Sequence, residues 1–317
     1  MLNIIITLIP VFSIMLVGAF AECRRVLPKD TANCLNQFVY WFSLPSLLFY
    51  FMCSSNLADI DIVPAFGCII GLSLTQIIVT ILLLLNKRSF ETSVMGGFLS
   101  CFPNIAFVGI SIVILLYPNN AEAKAMCGLV ALVPTVSMVF TDIVLTLQAT
   151  NGERRVNIWQ NLYSALFKNP PFIVTALGII ISYSQVPIPE SIMHILRMLG
   201  NTAAPCALFC IGMSLADQLR MPLRQLNIDW GLQIIVQFAK LILAPLLVFL
   251  CASFLGAKGV SLATMTILSS ASSAVTCYII ALKHEALVED SPSLILFGTV
   301  LSVFSLPLVI AMVQKFA

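Results

Sequence analysis

Charge is what this sequence has least of. Only 9% of its 317 residues are Asp, Glu, Lys or Arg, against 60% hydrophobic residues, and mean hydropathy is +1.03. A water-soluble globule needs far more charge on its surface. The net charge of +2 leaves no basic surplus, so nucleic acid is not a partner. Several chemical signatures are missing too. No C-x-x-C pair, no H-E-x-x-H and no phosphate-binding glycine loop occurs, which excludes the usual zinc, redox and nucleotide-hydrolysing sites. The two histidines, His194 and His284, are not near a cysteine pair. The ten cysteines fall almost entirely within apolar runs and read as small packing residues, so no metal and no cofactor is expected. No Lys or Arg precedes the first apolar run, as a secretory signal requires, so Ala19-Phe20-Ala21 is not read as a cleavage site.

What is present is apolar length. Ten runs are read as helices that cross about 30 Å of hydrocarbon. They are residues 2–20, 34–54, 62–85, 91–117, 124–148, 170–185, 192–216, 228–254, 259–283 and 290–315. The chain is therefore expected to be an all-α polytopic membrane protein embedded in the lipid bilayer. The longest polar connection, 149–169, divides it in half. There Trp159, Leu162, Tyr163, Leu166 and Phe167 recur at helical spacing and suggest a helix on the membrane surface. Connections after odd-numbered spans hold Arg24, Arg25, Lys29, Lys87, Arg88, Arg154, Arg155, Lys168, Arg220, Arg224 and Lys283. The other side holds Lys124, Lys258 and Lys315. The positive-inside rule then puts the odd connections in the cytoplasm and both termini outside, in the cytoplasmic (plasma) membrane.

The halves resemble each other. Pro45-Ser46-Leu47-Leu48-Phe49 matches Pro205-Cys206-Ala207-Leu208-Phe209, and Gly18 matches Gly178 at the same offset. TVSMVFT (135–141) matches TVLSVFS (299–305), and LSCFPNIAFV (99–108) aligns with LSSASSAVTC (268–277). Five helices per half make the two repeats, 1–148 and 170–317, inverted in the membrane around the 149–169 connector. Inverted repeats are the usual build of secondary transporters.

The fourth span carries Phe102-Pro103-Asn104 at its centre, where a passive span would have neither proline nor an amide. Its repeat equivalent, the ninth, carries Ser269, Ser270, Ser272, Ser273 and Thr276. Two breaks meeting near the midplane would aim half-helix N-termini at one spot, a site for an anion such as a carboxylate. Pro103, Asn104, Ser272, Ser273 and Thr276 are the candidate substrate-binding residues. A plain proline kink and close packing by small residues are the structural alternatives. Asp142 and Lys240 lie within spans and read either as a coupling pair or as a rim aspartate with a snorkelling lysine. Gln76 and Gln237 are near-equivalent and either line the site or bond across helices. Arg197 reads as an interfacial anchor.

These residues resemble the auxin efflux carrier family, which includes bacterial malonate-type carriers. The resemblance runs through LNQFVYWFSLPSLLF (35–49), FPNIAFVGI (102–110), AAPCALFCIGMSL (203–215), FAKLILAPLL (238–247) and ASSAVTCYIIALKH (271–284). It implies ten helices in two inverted repeats, a substrate site where helices 4 and 9 cross, a scaffold of helices 1, 2, 6 and 7, and a mobile domain of helices 3–5 and 8–10. It also implies elevator-type transport of a small organic anion. Lys240 matches a basic position common in the family before its proline, here Pro245. Where the family usually has a proline at the helix 9 break, this chain has Ser272.

The expected function is thus a secondary carrier with no catalytic residues. A sodium-coupled carrier of the bile-acid type, or a channel or sensor on the same scaffold, are the other readings. A membrane-embedded protease lacks its second carboxylate beside Asp142. The coupling ion, H+ or Na+, stays open, and a homodimer is compatible with the sequence.

Overall fold

A computed structural model describes residues 2–28, 30–55, 57–149, 169–219 and 228–315. The expected surface helix at 149–169 falls almost wholly outside the described residues. The described residues are helical throughout, with no strand and a single isolated β-bridge. The helices are α1 (Leu2–Cys23), α2 (31–54), α3 (Phe66–Leu85), α4 (Phe90–Cys101), α5 (Ile105–Leu116) and α6 (Ala121–Gln148) in the first half. The second half has α7 (Pro170–Ser184), α8 (Glu190–Asp217), α9 (Trp230–Phe254), α10 (Gly259–Ser269), α11 (Thr276–His284) and α12 (Asp290–Val313). Helical backbone occupies each of the ten apolar runs. Among the described residues, five stretches are by themselves long and apolar enough to cross a bilayer: Val63–Leu85, α6, α8, α9 and α12.

The helices end where sequence chemistry ends them. Ser89, Asn120, Asn169 and Asp229 each accept the backbone N–H of the third residue of the helix that follows. Asp229 also pairs with Arg88 at 2.6 Å, tying the 86–89 turn to the start of α9. Burial would raise the Asp229 carboxyl, but the Leu232 N–H and the Arg88 guanidinium outweigh it and hold that group below the usual carboxylate range. Two π-turns, Val39–Ser43 and Ala239–Leu243, stand directly before Leu44-Pro45 and Ala244-Pro245. Proline offers no N–H to the preceding turn, and the widened turn absorbs that mismatch.

Packing sorts the helices into two groups. In the first, α1 lies along α8, and α2 lies between α7 and α8. A Cβ on Gly18 would sit 2.1 Å from the Phe209 carbonyl oxygen, and one on Gly212 only 1.9 Å from that of Met15. In the second group α3 packs on both α4 and α9, and α10 packs on α6, α9 and α12. Here Gly67 and Gly71 bring α3 against the backbone of Ala252 and Val248. Small residues permit such approach, and dispersion rather than water exclusion rewards it in lipid. The outward faces are apolar: Leu16, Phe20, Ile180, Ile234, Phe254 and Phe304 are all exposed. On a soluble protein such a surface would aggregate, whereas in a bilayer it meets its own solvent.

Candidate functional site

The Pro-Asn pair works as a stop followed by a start. Proline disfavours helical backbone in the residue before it, and Phe102 is extended (φ −98°, ψ 90°) where α4 ends. Asn104 is the N-cap of α5: its Oδ1 accepts the Phe107 N–H at 3.3 Å. One span thus becomes two helices that share a buried extended joint.

The second break forms without proline. α10 stops at Ser269, and α11 begins at Thr276. The hydroxyls of Ser269 and Ser270 donate to the carbonyls of Thr266 (2.8 Å) and Ile267 (2.7 Å), within the last turn. Such back-bonding competes with helix propagation, and Ser-Ser-Ala-Ser-Ser supplies few strong helix formers to oppose it.

The two joints lie against each other. Pro103 faces Ser273 in an antiparallel bridge. The Asn104 N–H donates to the Ser272 carbonyl at 2.7 Å, and the Ala274 N–H to the Phe102 carbonyl at 3.2 Å. Each joint therefore satisfies polar backbone that lipid could not. Side chains close the junction further. The Ser273 hydroxyl donates to the Leu99 carbonyl at 2.7 Å, and Thr299 on α12 donates to the Ser272 hydroxyl at 3.3 Å. Asn104, Ser272 and Ser273 are buried, and Thr276 is half-buried in the first turn of α11. Pro103, Asn104, Ser272 and Ser273 thus lie together, and Thr276 follows three residues on, at the start of α11. The reading that the N–H groups of the joints face a ligand needs correction, because those of Asn104 and Ala274 are spent on the opposite joint. Thr299 escaped sequence reasoning, although it opens the TVLSVFS repeat match.

Lys240 sits in the π-turn of α9, fully buried. Its ammonium donates to the Ser269 carbonyl at 3.0 Å, at the C-terminal end of α10. Among the described residues no carboxylate lies within ion-pairing distance of it. Neither of the two readings of this lysine is what the described residues show: it does not pair with Asp142, and at full burial it does not snorkel to the surface. A helix C-terminus with unspent carbonyls and a negative dipole end holds the cation instead. Asp142 is paired elsewhere: Lys283 and His284, at the end of α11, both reach its Oδ1, His284 at 2.7 Å. Of the two, the sequence reading places Lys283 in a cytoplasmic connection and assigns His284 no role. The signal for them was a Lys-His pair in the last turn of a short helix.

Gln76 and Gln237 both bond across helices. Gln76 donates to the Thr141 hydroxyl at 2.7 Å, and Gln237 to the Leu294 carbonyl at 2.6 Å. Gln237 Oε1 is buried without a protein partner among the described residues and faces Gly298. Arg197 is exposed on α8. No three His, Cys, Asp or Glu side chains cluster to hold a metal among the described residues.

Two interrupted helices that cross and complete each other inside an apolar helical bundle define a multi-pass membrane transport protein. The family model described as "Membrane transport protein" matches residues 3–310, and the chain belongs to that family, that of the auxin efflux carriers. It is also 24% identical over 298 residues to a protein of Rhizobium meliloti (strain 1021) named "Putative malonate transporter", a match covering 93% of this chain and 91% of that one.

Proposed function

We propose that this protein is a secondary carrier of a small organic anion, a carboxylate such as malonate, bound at the α4–α5/α10–α11 crossing. The observation that carries the reading is a fully buried ammonium, Lys240, beside a junction made of two helix starts. Helix N-termini and an unneutralised lysine together favour negative charge. A fixed cation there disfavours a second one close by, so a coupling ion, H+ or Na+, would bind away from Lys240. The name of the Rhizobium relative favours malonate within the class of carboxylates.

The two packing groups support a reading of the transport movement. α1, α2, α7 and α8 would be the scaffold, and the remaining helices a mobile domain that moves as an elevator. Ten spans in two inverted repeats fit the register of the crossing. Pro103 is aligned with Ser272 and Asn104 with Ser273, and in the junction Pro103 faces Ser273 while Asn104 bonds to Ser272. They fit the glycines as well: Gly18 lets α1 approach α8, and Gly178 lets α7 approach α2. The termini would lie outside the plasma membrane.

Labelled malonate uptake into proteoliposomes, with and without trapped malonate, tests this. Trans-stimulated uptake is expected of a carrier and not of a channel. Asn104→Ala should raise the KM about 10- to 100-fold, the loss of one hydrogen bond to a charged ligand. Since Ala also removes an N-cap worth about 1 kcal/mol, Asn104→Ser serves as the cap-retaining companion. An unchanged KM in both variants would remove the crossing from the binding site.

A further inference from the structure

We infer that His284, held by Asp142, which Lys283 also contacts, is a proton-binding site that couples proton entry to anion transport. The inference rests on the carrier reading above. His284 is the last residue of α11, a nine-residue helix whose other end lies at the crossing. Its side chain is only 8% exposed, and that of Asp142 only 12%, whereas Lys283 is 52% exposed and opens to the surface. Three elements pack on α11: α6 carries Glu122 and Lys124 in its first turn and Asp142 near its other end, α4 carries Glu91, and α12 carries Asp290. Lys283 and Glu285 are its own neighbours. Of all these, Asp142 is the one whose oxygen contacts the imidazole.

The arrangement suits a reversible charge. Lys283 balances the Asp142 carboxylate, so the cluster is neutral while the imidazole is neutral. With Nε2–H donated to Asp142 Oδ1, Nδ1 is the atom that takes a proton, and the cluster then gains one positive charge. Imidazole is the side chain suited to that change near neutral pH. The gained charge sits at the C-terminus of α11, where the helix dipole favours a cation, while an anion at the crossing sits at its N-terminus, where the dipole favours an anion. The two lie about 12 Å apart along the helix. At an effective dielectric of about 20, each should tighten the other's binding about tenfold, reciprocally. Anion and proton would therefore bind and move together, as in symport.

Two measurements decide this. In detergent, 13C-histidine NMR of a chain with two histidines gives two imidazole signals, and His194→Gln assigns them. Recorded from pH 5 to 8.5, the His284 signal should show reversible proton uptake, and Asp142→Asn should alter that response. A His284 signal fixed in one state across the range would overturn the proton site. In proteoliposomes, an inward proton gradient should drive wild-type malonate accumulation. His284→Gln should keep malonate/malonate exchange and lose at least fivefold of that accumulation. Equal gradient-driven accumulation in variant and wild type would overturn the coupling role. Absence of any exchange in the wild type would strike the carrier reading instead, and the NMR titration alone then decides the proton site.

Discussion

Lys240→Met is expected to lower malonate uptake at subsaturating substrate about 10- to 20-fold while leaving the melting temperature unchanged or raised. The ammonium is fixed to the carbonyl of Ser269, three residues before Ser272. Three residues of chain span no more than about 10 Å. A unit charge at about that distance, at an effective dielectric of about 20, contributes on the order of 1.7 kcal/mol to binding a monoanion. The same charge costs the fold something, because a buried ammonium without a carboxylate keeps only part of its solvation. Methionine fills a similar volume with no charge, and its cost is the Ser269 carbonyl left without a donor, about 1 kcal/mol. Function and stability should therefore move apart. A variant that unfolds would make Lys240 a structural pin, and one that transports normally would remove it from the anion's surroundings. Lys240→Arg separates charge from shape, since it keeps the former in a bulkier group.

The second large effect is expected at Gly18. Gly18→Val should abolish the monodisperse peak in detergent size-exclusion chromatography. Its Cβ would sit 2.1 Å from the Phe209 carbonyl oxygen, and the reciprocal contact from Gly212 to Met15 is tighter still. Both obstacles are backbone, so neither helix can yield without moving whole. Overpacking in a flexible surround costs about 1–3 kcal/mol; a rigid helix–helix seam should exceed that range. Gly96→Ala is the graded comparison. Its Cβ would meet Leu83 Cδ1 at 2.5 Å, the far end of a side chain that can turn aside, so a folded protein with a lowered melting temperature is expected. A monodisperse Gly18→Val protein would show that the α1–α8 seam has slack.

The ten apolar runs were legible because hydropathy over about twenty residues overrides local propensity in lipid. The break at Pro103 was legible as well, since proline and the N-capping asparagine each have a local mechanism. The break at Ser270–Val275 was reached only through its alignment with the first, because serine does not force a helix to end as proline does. Partners were harder to read than positions. Lys240 stood out as an intramembrane charge, but its partner is a backbone carbonyl, which has no sequence signature. Asp142 stood out equally, but of its partners Lys283 was counted with a connection and His284 lies one residue past the apolar run, although α11 holds both. The placements of Gln76 and Gln237 depended on which helices became neighbours, and spacing along one chain does not determine that.

The crossing also has a consequence for how the protein is made. The backbone N–H of Asn104 finds its acceptor on Ser272, about 170 residues later in the chain. At synthesis rates of about 5–20 residues per second, the first joint waits roughly 10–30 s for the second. During that interval the first half carries an open polar seam inside the bilayer. It cannot mature alone, and quality control that recognises exposed polar backbone has a defined window in which to act on an interrupted chain.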